Sequence, residues 1–330
     1  MLRFCLLGSG RMGYVYAKII SEHPEAELVA VINPNLKSAI TLIENYGGNA
    51  FKTLAECRES IEFDAAIICS PTNTHLQLIS EVAKAGKAIF CEKPIDLSME
   101  RLDQCISVVE QYKVPFAVGF NRRFDPTNLA LRNRLMSGEV GNLNMLFLTS
   151  RDPSPPPIDY IKRSGGYFCD STIHDIDLIC WLTNDAPIEV FSSASCLIDD
   201  KIGAAGDVDT AMTILKMKSG VLCHINNSRK AVYGFDQRIE IFGSAGMLQT
   251  NNQRETLLSY SNEKVTDAQP LLKHFFLERY GQSFALEVSD FIHCIKTGSN
   301  PAVNQWDGRR ALEIALACEL SHREGRIVKL

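Results

Sequence analysis

A glycine-rich turn near the amino terminus constrains the fold more than any other feature of this sequence. Three glycines, Gly8, Gly10 and Gly13, follow an apolar run at residues 2–7 and open an amphipathic segment at residues 11–22. The apolar run predicts a strand, and the three- and four-residue spacing of apolar residues in the segment predicts a helix. A strand that passes directly into a helix is the first half of a parallel βαβ unit.

The same alternation of short apolar runs and amphipathic stretches continues to about residue 119. Further strands are predicted at residues 27–32, 65–69, 88–91 and 116–118, and helices at residues 74–85 and 99–111. Strands that are buried on both faces and alternate with helices form a parallel, doubly wound sheet. We therefore expect an α/β domain over residues 1–120.

Beyond residue 120 strands follow one another with turn residues between them, which favours an antiparallel sheet. A helix is predicted at residues 120–136, and the proline-rich stretch at residues 153–157 must be a loop. The predicted strands are residues 144–150, 190–197, 210–216, 221–227 and 238–242, and helices return at residues 286–297 and 309–324. Residues 121–330 are thus expected to form an α+β domain with a mainly antiparallel, open sheet.

Composition excludes several classes of protein. A length of 330 residues suits two domains, and a net charge of -5 argues against nucleic-acid or anionic-membrane partners. No apolar run reaches the roughly 18 residues of a membrane span, and the amino-terminal run breaks at Gly8, too early for a signal peptide. The eleven cysteines include no C-x-x-C pair, so no metal site is expected. Reduced thiols in the cytoplasm are the simplest interpretation.

The position of the glycine turn gives it a chemical meaning. Gly8 allows the tight turn, Gly10 lets the backbone approach a pyrophosphate, and Gly13 lets the helix pack on the strand. The phosphates then meet free N–H groups at the start of the helix. The sequence therefore predicts a dinucleotide site, although a strand-to-helix turn without a ligand stays possible at this point.

The end of the second strand bears on which dinucleotide binds. Asn33 stands where an acidic residue usually binds the adenosine ribose of NAD, and an amide does not repel a 2′-phosphate. Lys37 would favour such a phosphate, or it is an ordinary solvated helix residue. NAD is the predicted cofactor, and NADP stays open.

The loop after the third predicted strand should also line the cofactor, because ligands bind beyond the carboxyl ends of parallel strands. It comprises Ser70, Pro71, Thr72, Asn73 and Thr74 and ends at His75. His75 has two interpretations, a catalytic residue or an early residue of the following helix, and the second is favoured.

Two further segments carry groups suited to proton transfer. Glu92-Lys93-Pro94 follows a buried strand. A lysine at the carboxyl end of such a strand, followed by proline, is not expected to be an ordinary surface residue. If a helix begins near Asp170, then Asp170, His174 and Asp177 lie at i, i+4 and i+7 and share one face. A histidine between two carboxylates is a candidate general base, whereas an isolated histidine is more often a core residue.

These motifs together resemble those of the Gfo/Idh/MocA oxidoreductases, and the chain is similar to the inositol 2-dehydrogenases of that family over nearly its whole length. The resemblance rests on the opening turn, Glu92-Lys93-Pro94, the Gly119–Asp125 segment, the Thr149–Pro153 segment with Tyr160–Lys162, the Asp170–Asp177 segment, Asn227-Ser228-Arg229, the Tyr233–Arg238 segment, and the closing Glu324–Arg326 and Val328–Leu330. Two departures are Asn33, where relatives that use NAD usually carry Asp, and Phe235, which replaces a frequent tyrosine.

The resemblance implies a Rossmann domain, an α+β domain whose open sheet serves oligomerisation, commonly as a homotetramer, and hydride transfer from the C2 hydroxyl of myo-inositol to NAD, giving scyllo-inosose. The implied catalytic residues are Lys93, Asp170 and His174. The implied substrate contacts are Asn121, Arg122, Asp152, Asp177 and Tyr233. The residues expected to bind the cofactor are Gly8, Gly10, Arg11, Met12, Gly13, Asn33, Lys37, Ser70, Pro71, Thr72, Asn73, His75, Glu92 and Lys93.

Two alternatives to this activity stay open. The chain could act on another sugar or inositol isomer, with NAD or NADP. It could also be a dinucleotide-binding sensor without catalysis, although a sensor has no need of the Lys93, Asp170 and His174 set.

Overall fold

The computed structural model describes all 330 residues, which form two compact units. One unit consists of Met1–Phe124 and Gln282–Leu312, and the other of Asp125–Gly281 and Glu313–Leu330. Residues 282–312, which the sequence analysis grouped with the second half of the chain, therefore belong to the first unit. The reason is apolar packing, since Val288, Phe291 and Ile292 are completely buried in the core of the first sheet.

The first unit contains a six-stranded, entirely parallel sheet with the strand order β3-β2-β1-β4-β5-β6. This confirms the predicted doubly wound sheet. Its strands are β1 (Leu2–Leu7), β2 (Ala26–Ile32), β3 (Asn49–Phe51), β4 (Ala65–Ile68), β5 (Ala88–Cys91) and β6 (Phe116–Val118). Strand β3 was not predicted, because three residues with no fully buried side chain give no apolar run.

Helices alternate with these strands. They are α1 (Arg11–Glu22), α2 (Leu36–Tyr46), α3 (Leu54–Ser60), α4 (His75–Lys84) and α5 (Met99–Tyr112), with a short 3-10 helix at Thr72–Thr74 and another at Asn121–Phe124. The amphipathic spacing that predicted α1 buries Tyr16, Ala17 and Ile20 against the sheet.

The register of the sheet brings several strand ends to one edge. Leu7 lies opposite Ile32 of β2 and Ile68 of β4, Ile68 lies opposite Cys91 of β5, and Cys91 lies opposite Val118 of β6. The residues that follow each strand, including the glycine turn and Glu92, therefore line the carboxyl edge, where ligands bind in open parallel sheets.

The second unit contains a seven-stranded sheet in the order β12-β11-β7-β10-β9-β8-β13, in which only β7 and β10 pair in parallel. This confirms the predicted, mainly antiparallel sheet. Its strands are β7 (Leu143–Arg151), β8 (Pro187–Ser195), β9 (Thr210–Met217), β10 (Leu222–Ser228), β11 (Asp236–Gly243), β12 (Gly246–Gln249) and β13 (Val328–Lys329).

The remaining helices complete the chain. They are α6 (Pro126–Met136), α7 (Ile158–Ile161), α8 (Ile173–Thr183), α9 (Asp200–Ala204), α10 (Phe276–Arg279), α11 (Gly281–Thr297) and α12 (Gln305–Glu324). A one-turn π-helix, Phe168–Thr172, leads directly into α8. None of the helices combines the length and the apolar character needed to cross a bilayer.

Candidate active site

The glycine turn has the shape that its sequence predicts. Gly8 has a φ of 116°, and a Cβ atom there would lie 2.8 Å from the backbone nitrogen of Ser70. A Cβ on Gly13 would overlap the carbonyl oxygen of Gly8, so helix α1 packs on the turn only because this residue has no side chain. A Cβ on Gly10, in contrast, would meet nothing within 4 Å. The turn is closed towards the protein and open at Gly10.

The start of α1 is suited to a phosphate. Gly10 caps the helix without any side-chain hydrogen bond, and the first turn carries no acidic residue. The first N–H groups of the helix therefore have no capping side chain from Gly10, and the positive end of the helix dipole lies at this turn. Arg11 is exposed there and Met12 is half-buried. This arrangement fits the pyrophosphate of a dinucleotide.

Asn33 belongs to a hydrogen-bonded cluster beside the turn. Its Nδ2 donates to Ser9 Oγ at 2.6 Å, and Ser9 Oγ donates to Ser38 Oγ at 2.7 Å. The Oδ1 atom of Asn33 accepts from the backbone N–H of Asn35 at 2.8 Å. Lys37 is exposed on the first turn of α2. The sequence analysis did not single out Ser9 and Ser38, because a hydroxyl cluster across 29 positions has no sequence signature.

His75 is the first residue of α4 and is only 1% exposed. Its Nδ1 lies 3.1 Å from the carbonyl oxygens of both Pro94 and Ile95, and its Nε2 lies 3.0 Å from the carbonyl oxygen of Ser70. Burial lowers the pKa of the imidazole. The ring thus lies between backbone carbonyls of the loops after β4 and β5, and its neutral form donates to one of the two loops. The other residues of the first loop, Pro71 and Thr72 to Thr74, are half-buried or exposed.

Glu92 and Lys93 follow β5 at the same edge and are half-buried. Glu92 Oε2 accepts from the backbone N–H of Lys93 at 3.0 Å, and Glu92 Oε1 accepts from the hydroxyl of Tyr16 at 2.7 Å. The peptide bond between Lys93 and Pro94 is cis. Burial raises the pKa of Glu92, although the Tyr16 hydroxyl and the charge of Lys93 both oppose the shift.

In the second unit, Asp170 is held by a buried cation and by a phenol. Arg229 is 1% exposed, and its Nη1 lies 3.8 Å from Asp170 Oδ2. Its Nη2 lies 3.1 Å from Asp207 Oδ2, and its guanidinium stacks 4.4 Å from the ring centre of Tyr167. Tyr160 donates its hydroxyl hydrogen to Asp170 Oδ1 at 2.8 Å. Asp170 thus has a partner on each carboxylate oxygen.

The helix expected to begin near Asp170 begins at Ile173, and Asp170 itself lies within the π-helical turn that precedes it. A π-turn places its hydrogen bonds between residues five apart, so the spacing of Asp170 and His174 is not that of a regular α-helix. His174 is half-buried, and Asp177 is 2% exposed. That the three side chains share one face stays a prediction.

A second polar network connects helix α8 to strand β10. Asp175 is completely buried, and its Oδ2 accepts from Asn227 Nδ2 at 2.7 Å. Asn227 Oδ1 in turn accepts from Thr172 Oγ1 at 2.8 Å. The network joins the π-turn and α8 to strand β10. The sequence analysis quoted Asn227 and Arg229 only within a motif, because their side-chain partners lie at least 22 positions away in the sequence.

The other predicted contacts divide between the two units. Asn121 and Arg122 lie in the 3-10 helix of the first unit and are buried, with the Nδ2 of Asn121 lacking a hydrogen-bond partner. In the second unit Asp152 follows β7, and its backbone N–H donates to Ser228. Tyr233 accepts from Arg151 at 3.0 Å and donates to Asp236 at 2.8 Å.

The surroundings of Phe235 account for a phenylalanine where relatives often have tyrosine. It is 4% exposed, and its ring packs edge-on against Tyr280 with the ring centres 5.9 Å apart. The position is filled by apolar packing.

Family models match both halves of the chain. Residues 2–120 match a model described as an oxidoreductase family with an NAD-binding Rossmann fold. Residues 128–249 match the GFO/IDH/MocA C-terminal domain.

Individual relatives match the chain over its full length. An inositol 2-dehydrogenase of Rhizobium meliloti is 44% identical, covering 100% of this chain and 99% of the relative. A myo-inositol 2-dehydrogenase of Thermotoga maritima is 42% identical, covering 100% and 98%. A crystal structure of the scyllo-inositol dehydrogenase of Lactobacillus casei with bound NAD(H) and scyllo-inositol is 26% identical, with a TM-score of 0.93 and coverage of 100% and 99%.

Proposed function

Because the chain belongs to the Gfo/Idh/MocA oxidoreductase family, we propose that it oxidises the C2 hydroxyl of myo-inositol with NAD as the hydride acceptor. The product is the 2-keto inositol, scyllo-inosose. The observation that carries this proposal is the 44% and 42% identity, over whole chains, to inositol 2-dehydrogenases of two bacteria.

The first unit holds the cofactor in this proposal. The open N–H groups at Gly10 bind the pyrophosphate, and the Ser9, Asn33 and Ser38 cluster hydrogen-bonds the adenosine ribose. The remaining contacts are those predicted from the sequence: Arg11, Met12, Lys37, Ser70, Pro71, Thr72, Asn73, Glu92 and Lys93. His75 acts through the backbone that it holds.

Oxidation of an alcohol removes a hydride from carbon and a proton from oxygen. NAD, when bound, accepts the hydride on its nicotinamide ring. His174 takes the hydroxyl proton, because an imidazole titrates near neutral pH. Asp170, fixed by Arg229 and Tyr160, orients His174 and stabilises the imidazolium that forms. Lys93 donates to the substrate oxygen and stabilises its developing negative charge.

Five further residues are proposed to position the ring of the substrate. Their side chains offer the amide, guanidinium, carboxylate and phenol groups that pair with several hydroxyls at once. They are Asn121, Arg122, Asp152, Asp177 and Tyr233.

We also propose that the protein is a homo-oligomer, with a tetramer favoured, and that it resides in the cytoplasm. One face of the second sheet carries a row of side chains in register across four strands, in which Phe147, Ile214 and Phe191 are exposed and apolar and His224 lies between Phe147 and Ile214. Exposed apolar surface of this extent is typical of an interface. The eleven cysteines form no disulfide, which suits a reducing compartment.

A substrate panel tests the proposed function. Initial rates of NADH formation are measured with myo-inositol, scyllo-inositol, other inositol isomers and aldoses, each with NAD and with NADP. We expect the highest kcat/KM for myo-inositol with NAD. A higher value for scyllo-inositol would favour the second isomer, which the relative from Lactobacillus casei binds. Cofactor binding without turnover on every polyol would instead favour the sensor alternative.

A further inference from the structure

Three ionisable side chains form a hydrogen-bonded chain inside the first unit. Two of them come from helices that are distant in sequence. The hydroxyl oxygen of Tyr16, on α1, lies 2.7 Å from Glu92 Oε1 and 3.1 Å from Glu287 Oε1 on α11. Tyr16 is 0% exposed and Glu287 is 1% exposed. The sequence analysis assigned a role to Glu92 alone.

The number of hydrogens decides how this chain is connected. A tyrosine hydroxyl carries one hydrogen, so Tyr16 donates to only one of the two carboxyl groups. The shorter contact, to Glu92, is the donated one. The contact to Glu287 then joins two oxygens and needs a second hydrogen, which Glu287 supplies if it is protonated. A protonated Glu287 donates to Tyr16 and leaves no charge in the core.

The surroundings of Glu287 favour the protonated form. Burial raises the pKa of Glu287 well above the ordinary value and the negative charge of Glu92 raises it further, while the Tyr16 hydroxyl opposes the shift. No cation pairs with Glu287, and its Oε2 atom is buried without a hydrogen-bond partner. The other ionisable groups that interact with Glu92 are Cys69 and Cys91, whose pKa values burial raises, and Lys93, whose charge lowers the pKa of Glu92.

The far end of the chain reaches the backbone of Lys93. Glu92 Oε2 accepts the N–H of Lys93 at 3.0 Å. Glu92 is also confined from the other side, since a Cβ on Gly119 would lie 3.2 Å from the same oxygen. The hydrogen bond to Glu92 therefore fixes the backbone N–H of Lys93, the residue whose side chain carries the ammonium group.

We propose that Glu287 is a positioning residue that holds a proton, hydrogen-bonds Tyr16 with it, and through Tyr16 and Glu92 fixes the backbone of Lys93. Two isosteric changes separate the links of this chain. Glu287→Gln keeps a hydrogen donor for Tyr16, because the amide NH₂ replaces the protonated carboxyl. Tyr16→Phe removes the hydroxyl that connects the two glutamates. The positioning role rests on the proposed function, because it needs Lys93 to act in turnover. The protonation of Glu287 does not depend on that function.

Infrared difference spectroscopy tests the proton directly. The spectrum of the wild-type protein at neutral pH minus that of Glu287→Gln should contain the C=O stretch of a protonated carboxyl group. Absence of that band, with carboxylate bands in its place, would overturn the proposal. The measurement does not depend on turnover, so it decides the charge of Glu287 even if myo-inositol is not the substrate.

Kinetics test the positioning role. Tyr16→Phe should lower kcat about five- to tenfold, the effect of losing one buried hydrogen bond, and should weaken NAD binding by less than that factor, because Glu92 and Lys93 are two of many proposed cofactor contacts. Glu287→Gln should stay within about twofold of wild type, as should Tyr14→Phe, which changes an exposed tyrosine on the same helix. A folded Tyr16→Phe variant with wild-type kcat would overturn the proposal. A wild-type protein without turnover would overturn the proposed function instead.

Discussion

Arg229 and Glu287 are both almost completely buried, but the surroundings of Arg229 favour its charged form and those of Glu287 favour its neutral form. Arg229 lies between the carboxylates of Asp170 and Asp207 and beneath the ring of Tyr167, so its charge is compensated on several sides. Glu287 has a phenol and a second glutamate as neighbours and no cation. Burial of an uncompensated charge is costly, and such a group becomes neutral instead. Arg229 therefore remains charged beside Asp170. Glu287 holds a proton instead.

His174 gives the first prediction at the scale of single residues. Replacing His174 by Ala removes the proposed base, so kcat should fall by about 10²- to 10⁴-fold, while the NAD dissociation constant stays unchanged. Stopped-flow or steady-state NADH absorbance measures the rate, and a fluorescence titration measures NAD binding. His293→Ala, which changes an exposed histidine, is the control. A kcat that His174→Ala leaves intact would remove this residue from the mechanism.

Asn33 gives the second prediction. Asn33→Asp places a carboxylate at the adenosine ribose, where it repels the 2′-phosphate of NADP at a cost of ~1 kcal/mol or more. The ratio of kcat/KM for NAD to that for NADP should rise about fivefold or more. The change removes the N–H that Asn33 donates to Ser9, but the fold should tolerate it, because the Ser9 hydroxyl can turn and donate to the new carboxylate. Asn35→Asp in the same loop is the matched control, and equal ratios in the two variants would refute the assignment of Asn33 to the ribose.

At the scale of elements, the ring of His75 lies between backbone carbonyls of the loops that follow β4 and β5, and burial favours its neutral form, which donates to one of the two loops. Burial lowers the folded-state pKa of His75 below its ordinary value of 6.5, so the unfolded chain takes up the proton first. The contribution of His75 to stability is therefore complete above pH 6.5 and is lost as the pH falls through the folded-state value.

A titration of unfolding tests this account of His75. Between pH 7 and pH 5 the free energy of unfolding of the wild type should fall more steeply than that of His75→Gln, by up to ~1.4 kcal/mol per pH unit. Urea denaturation at several pH values gives both curves. The exposed control His293→Gln should follow the wild type. Parallel curves for wild type and His75→Gln would mean that His75 is not held neutral.

The elements that the sequence predicts well are those whose burial is uniform. Strands β4 and β5 are apolar and buried throughout, and α1 was expected at the residues where it lies, because its apolar spacing matches one buried face. Strand β3 has no such signal. The π-turn before α8 also escapes prediction, since its extra residue leaves no mark in the apolar spacing.

The residues of the candidate site were predictable where they follow a strand or form a motif, as for Gly8 and Lys93. They were not predictable where the partner comes from a distant helix. Tyr16 and Glu287 are 271 positions apart, and each by itself is an ordinary residue of an amphipathic helix. Only the packing of α11 on the first sheet brings them together.

At the scale of the whole molecule, the open face of the second sheet carries the prediction about assembly. Ile214 is 50% exposed and lies at the centre of the row that runs from Phe147 to Phe191. Ile214→Glu should shift the oligomer towards smaller species, because a charge buried in an apolar interface is strongly unfavourable. Light scattering coupled to size exclusion measures the mass.

Leu257→Glu is the matched control, since Leu257 is fully exposed and lies outside the sheet. It should leave the mass of the wild-type assembly unchanged. A wild-type protein that is monomeric, or an Ile214→Glu variant with the mass of the wild type, would contradict the proposed use of this face.

The transfer of a hydride from C2 of myo-inositol to NAD is the central claim, and one isotope experiment tests it. The protein is incubated with NAD and myo-inositol that carries deuterium only at C2, and the reduced cofactor is analysed by mass spectrometry. We expect one deuterium in each molecule of reduced cofactor formed. Reduced cofactor without deuterium would show that the hydride comes from another carbon, and would contradict the claim.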